Sequence, residues 1–156
     1  MTDEYFIKKA IELAHTGMDN DIGGPFGALI VRNGEIVGSA SNSVHRDLDP
    51  TAHAEVMAIR DACQNLQVRH LVDCTLYSSC EPCPMCFSAM YFAKIKRVVY
   101  AASHADAGRI AGFYMDDLYA ELAKGISQRS VQSLQIGKEM GLQPFFKWTA
   151  NKAKKK

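Results

Sequence analysis

The chain has 156 residues, 47% hydrophobic and 22% charged, the balance of one soluble globular domain large enough to bury a core. No run of 18 apolar residues occurs, so no membrane span is expected, and the acidic start Met1-Thr2-Asp3-Glu4 is unlike a basic signal-peptide opening; five cysteines, an odd count with three within residues 80–86, point to metal binding in a reducing cytoplasm over a disulfide framework. Net charge is +1, but Lys152, Lys154, Lys155 and Lys156 supply four of the 18 basic residues; the rest of the chain sets 14 against 17 acidic ones, which speaks against a polyanion-binding body.

Residues 3–18 are expected to be helical: Ile7, Ala10, Ile11 and Ala14 recur at helical spacing, Thr2 can cap the start and Gly17 can end it. After the Gly23-Gly24-Pro25 loop, Gly27–Arg32 reads as a strand. Asn33-Gly34 is a hairpin turn, and Glu35–Asn42 returns antiparallel. A buried helix is expected over Ala54–Leu66, a strand over Cys74–Ser78, a helix over Met85–Lys94 behind Pro84, and a strand over Arg97–Ala102. Helices follow at about 104–111, 116–124 and 144–154, with Val131–Ile136 as a further strand. The order β-β-α-β-α-β implies an α/β sandwich whose parallel strands are joined by buried helices. A single domain over residues 1–151 with a basic tail over 152–156 follows, the tail reading as a solvated end or a nucleic-acid arm. Phe145, Phe146 and Trp148, crowded after Pro144, are expected to be covered by the body or by a neighbouring subunit.

The chemistry is concentrated in His53-Ala54-Glu55 and Pro82-Cys83-Pro84-Met85-Cys86, 30 residues on. One imidazole and two thiolates make a catalytic zinc set with a fourth position left for water. Both halves fall where a strand gives way to a helix, and helix N-termini favour thiolate at Cys83 and Cys86. His53 and Glu55 stand two apart and converge only if their helix aims its N-terminus at the pocket. A zinc ion with two thiolates and a neutral imidazole is nearly uncharged, so it acidifies water less than an all-histidine site and calls for a nearby base. Glu55 suits that task, carrying a proton from water to a ring nitrogen and the departing amine; otherwise it is a carboxylate capping a helix start. Cys80 extends the spacing to C-x₂-C-x₂-C, as in an iron–sulfur run, but position 90, where a fourth ligand would fall, is Met90. Cys63 and Cys74 read as small core residues, His15, His45 and His70 as surface residues, and His104 as a pocket candidate. Phe26 can stack on a base or pack in the core, and Asn42 can offer a donor and an acceptor to a base edge or serve a turn.

The pattern H-x-E with P-C-x-x-C is the mark of zinc-dependent base deaminases. On these residues the chain resembles the cytidine/deoxycytidylate deaminase superfamily over about residues 4–112. Gly23–Ala28, Asp49–Glu55, Ser79–Cys86, Ala111-Gly112-Phe113 and Pro144-Phe145 with Trp148 are similar to the bacterial guanine deaminases. The tRNA adenosine deaminases share Asp49–Glu55 and Glu81-Pro82-Cys83 but have valine at Phe26 and Pro84; Phe145-Phe146-Lys147 and the lysine tail are similar to that branch. The resemblance implies a three-layer α/β/α sandwich with a mixed five-stranded sheet, zinc at His53, Cys83 and Cys86, catalysis at Glu55, and base binding near Phe26, Asn42 and the Ala54 backbone. It implies hydrolytic deamination of a free purine, guanine to xanthine first, by a homodimer. Deamination of tRNA adenosine, of guanosine or of another aminated ring is the second reading, and a structural-zinc module the non-enzymatic one. Two departures are plain: Tyr114-Met115 separate Gly112-Phe113 from Asp116-Asp117, where the guanine deaminases place acidic residues directly, and lysines stand at the C-terminus where that family can supply an aromatic to the pocket.

Overall fold

The computed structural model describes residues 1–153. They pack as two compact units, residues 1–118 and residues 119 onward. The first unit holds α1 (Asp3–Asp19), β1 (Gly27–Arg32), β2 (Glu35–Ser41), α2 (Ala54–Leu66), β3 (Cys74–Cys80), α3 (Pro84–Ala93), β4 (Arg97–Ala102) and α4 (His104–Ala111). A further helix, α5 (Asp116–Ala123), runs across the division. The second unit continues with a short 3₁₀ turn at Ile126–Gln128 and α6 (Lys138–Ala153). No helix among the described residues is long and apolar enough to cross a membrane.

The sheet order is β2-β1-β3-β4. β1 is antiparallel to both β2 and β3, and β3 is parallel to β4. Three strands therefore run one way, joined by α2 and α3, and only β1 is reversed. Asn33 and Gly34 both take positive φ, 51° and 81°, the mirror-image turn whose twist suits a two-residue hairpin. The side-chain alternation of β1 divides the core. Ala28 and Ile30 face Ala54, Ala58 and Ala62 of α2 with Met90 and Ala93 of α3, while Leu29 and Val31 join Tyr77 against Phe6 and Ala10 of α1. These are the three layers of an α/β/α sandwich. Tyr77 donates to Asp3 Oδ1 at 2.7 Å, and Arg97 grips the same carboxylate at 2.6 Å, so β3 and β4 hold the first turn of α1.

Small residues set the helix-to-sheet distance. A Cβ on Gly38 would stand 2.5 Å from the Ala58 carbonyl oxygen and 2.6 Å from the Ala62 nitrogen. Gly38→Ala is therefore expected to force α2 off the sheet and cost about 1–3 kcal/mol, read as a fall in melting temperature. Gly17 plays the same part and does not end α1: its α-carbon faces Ser41, and the helix runs on to Asp19 before Asn20 caps it.

Other expectations shift. The sheet has four strands among the described residues, not five. Val131–Ile136 lies in no ladder, with Val131, Leu134 and Ile136 all exposed, since an apolar run becomes a strand only with a neighbour to pair with. β3 continues past Ser78 to Cys80, because its last residue still pairs with Ala102. α6 begins at Lys138 and passes through Pro144, giving up one backbone bond there. Phe145, Phe146 and Trp148 are exposed on the single chain. The basic tail lies outside the described residues from position 154.

Candidate metal centre and pocket

The C-terminal ends of β2 and β3 lead into loops that deliver two helix N-termini to one place. His53 is the N-cap of α2 and Cys83 the N-cap of α3, both in extended backbone, and neither side chain caps its own helix. Each is turned toward the other instead. His53 Nδ1 lies 3.6 Å from Cys83 Sγ and 3.5 Å from Cys86 Sγ, and the two sulfurs are 3.6 Å apart. Ligand bonds of roughly 2.0–2.3 Å at tetrahedral angles need edges of about 3.5–3.8 Å, so this triangle fits one face of a zinc tetrahedron. Among the described residues, these three form the group of metal-ligating side chains close enough to share one ion.

The electrostatics suit a cation. The Cys83 thiol is held down to about 4 by its bond with Cys86 and by His53. Cys86 is pushed up by the same shared proton, and His53 is raised by Cys83. His53, Cys83 and Cys86 would hold a doubly charged ion, which would favour both thiolates over the shared proton.

Glu55, on the first turn of α2, is 4% exposed. Its Oε2 is 3.4 Å from Cys86 Sγ, and its Oε1 accepts from the Ser78 hydroxyl at 3.2 Å. Burial pushes this carboxyl above the usual carboxylate range. The convergence demanded of His53 and Glu55 is met because α2 aims its N-terminus at the site, so an N-cap and an N2 side chain reach it together.

A cavity of about 320 Å³ opens on this cluster, with Phe26, Asn42, Val44, His104, Phe113 and Met115 among the lining residues. That volume suits a small ligand. Phe26 packs on the core and lines the cavity at once, its ring edge-on to Phe113 at 5.0 Å and 74°. The Asn42 carboxamide oxygen accepts from the Gly24 and Val44 N–H groups at 3.1 and 3.3 Å, so only the amide donor is left for a ligand. Ala54 is fully buried and is not part of the cavity wall.

Several wall residues were not legible as such. Cys80, instead of joining a cluster, places its thiol 3.8 Å from the Ser103 carbonyl, and burial pushes it up to about 11. His45, expected at the surface or in a loop, is exposed and also lines the cavity, 3.5 Å from Asp21. Glu81 accepts from the His104 backbone N–H at 3.1 Å and brings His104 to the wall, which Met115 also lines. Asp116 and Asp117 open α5 instead.

Residues 1–102 match the model of the cytidine and deoxycytidylate deaminase zinc-binding region. The chain belongs to this deaminase family. Its cofactor is accordingly zinc, and it is an aminohydrolase. Guanine deaminase of Bacillus subtilis is 48% identical over 148 residues, covering 95% of this chain and 94% of that protein. The X-ray structure of a Bacillus subtilis guanine deaminase superposes with a TM-score of 0.92 at 47% identity, covering 96% of this chain and 95% of that one. A tRNA-specific adenosine deaminase of Aquifex aeolicus is 40% identical over 114 residues, 73% of this chain and 75% of that protein. The deaminase family and its mixed sheet thus agree with the α/β/α reading, with one strand fewer than expected.

Proposed function

We propose that this chain deaminates guanine to xanthine and ammonia, with His53, Cys83 and Cys86 holding zinc and Glu55 carrying protons. The observation that carries the reading is the ligand triangle with a buried carboxylate 3.4 Å from one of its corners, at the base of a purine-sized cavity. Near-full-length likeness to a guanine deaminase supports the choice of ring.

Zinc, when bound, supplies the Lewis acidity that makes water a nucleophile near neutral pH. Phe26 offers a face for the base to stack on, and the oriented Asn42 amide donates to a ring acceptor. Glu55 removes a proton from the attacking water and passes it to the ring nitrogen beside C2, then takes the second proton from the new C2 hydroxyl, as that becomes the carbonyl, and gives it to the amino group. The new C2–O bond forms, the C2–N bond breaks, and nitrogen leaves as ammonia. Ser78 keeps one oxygen of Glu55 in place, and the other lies 3.4 Å from Cys86 Sγ, beside the ligand triangle. The working unit in this reading is a cytoplasmic homodimer acting on a free base.

The wall holds two carboxylates, Glu55 and Glu81, and neither lysine nor arginine. Phosphorylated purines would meet like charge there. An ammonia-release screen across guanine, guanosine, guanosine monophosphate, adenine and tRNA is the test. Guanine should give equimolar xanthine and ammonia, and the nucleotide should be inert. Inert guanine alongside active tRNA would replace this reading with the adenosine branch.

Asn42→Asp keeps the oxygen that Gly24 and Val44 need but exchanges the donor for an acceptor. It is expected to lower kcat/KM for guanine by at least about fivefold, since an unpaired buried edge costs about 1–3 kcal/mol, with little change in melting temperature. Unchanged kinetics would remove Asn42 from the site.

A further inference from the structure

The link between α4 and α5, residues 112–115, carries two residues of the cavity wall with one between them that faces away. Phe113 and Met115 line the cavity, whereas Tyr114 turns its ring onto α4. Its seat is Gly108, buried at the fifth of the eight positions of that helix. A Cβ on Gly108 would stand 2.7 Å from Tyr114 Cδ1, 2.9 Å from Cε1 and 3.4 Å from Cγ, so the edge of the ring lies where any other residue would put its side chain. Glycine is a poor helix former, and the close approach of this ring supplies a packing reason for one here.

The chain turns at Gly112, the C-cap of α4, where φ is 77°. Gly112 N–H donates to the Gly108 carbonyl at 2.9 Å and Phe113 N–H to that of Ala107 at 3.4 Å, which ties the start of the link to the helix. Past them, the Tyr114 ring on Gly108 holds the outer side of the link. The wall it backs is thin. Phe26 and Phe113, edge-on at 5.0 Å, line both this cavity and a neighbouring one of about 170 Å³, so the two rings form a partition between them.

We propose that Gly108 and Tyr114 are positioning residues for the substrate: the ring seated on the bare α-carbon holds Phe113 and Met115 against the bound base. The proposal rests on the reading of this cavity as the purine site and adds what keeps its wall in place. Unseating the ring would let the partition yield and leave the base with fewer contacts on that side. Glu55 and the three ligands stand on other elements, so binding should suffer and the chemical step should not.

Gly108→Ala, in the full zinc-loaded chain, is the direct test. Alanine favours the helix, so the melting temperature should not fall, while KM for guanine should rise at least about fivefold with kcat within about twofold. Tyr114→Ala should do the same, and Tyr114→Phe, which keeps the ring, should hold KM at the wild-type value. Because both residues act through one contact, Gly108→Ala with Tyr114→Ala should be impaired about fivefold, not about 25-fold. A second readout needs no substrate. In methyl NMR spectra of protein labelled at its methionines, Met115→Leu identifies the Met115 signal. Gly108→Ala should shift that signal and leave that of Met18, on α1, in place. A ring that swings into solvent with KM unchanged, or a Met115 signal that does not move, overturns the proposal. So does full multiplication of the two effects in the double variant. If Gly108→Ala fails to fold, Tyr114→Ala against Tyr114→Phe decides. Inert guanine would count against the choice of ring, and the Met115 signal would still decide this proposal.

Discussion

Replacing Glu55 with glutamine is expected to lower kcat on guanine at least about 10²-fold while zinc content stays near one per chain. The amide fills the same volume and can still accept from Ser78, so the fold has no reason to change. What it cannot do is take a proton from water. The zinc-free protein adds a second, opposite-signed readout. Burial raises the Glu55 pKa, so the carboxyl favours folding while protonated and loses that contribution as pH climbs through the raised value. At neutral pH the glutamine variant should therefore melt no lower than the wild type, both without metal. Kinetics from stopped assays, metal analysis and a melting curve check all three statements. A variant with near-normal turnover would reduce Glu55 to a helix-end residue.

Cys83→Ala and Cys86→Ala should each abolish activity and most of the zinc, through loss of one corner of the triangle. The two sulfurs and His53 Nδ1 are mutually 3.5–3.6 Å apart, so two remaining ligands leave an ion held mainly by water. Metal that binds only the folded chain stabilises it by mass action, so both variants should melt lower than the zinc-loaded wild type. A strong chelator applied to the wild type should reproduce that fall, and zinc should reverse it. Metal analysis showing iron with acid-labile sulfide would instead point to Cys80 as a ligand. Its thiol lies by the Ser103 carbonyl, away from the triangle.

Much of this was local information. The apolar run in Gly27–Arg32, Asn33-Gly34 at the turn, and the apolar content of Ala54–Leu66 fixed their elements because each signal acts over a few bonds. The ligand set was legible for the same reason: side chains that hold an ion must be of few kinds, and chain order put each at a helix start. The rest needed distant partners. Val131–Ile136 has strand-like residues and no strand to pair with. Gly17 looked like a stop, and it is a contact point, because Ser41 comes from a hairpin more than twenty residues away. Asn42 had a donor and an acceptor on paper, but folding spent the acceptor on Gly24 and Val44. His45, Cys80, Glu81, Phe113 and Met115 carry no common motif. They share one cavity wall only because three strand ends and two helix starts meet there. The sequence by itself determined the class of metal and pointed to a carboxylate beside it, since these rest on residue type and short spacing. Tertiary structure alone decided which groups surround a purine, because that depends on packing between segments far apart in the chain.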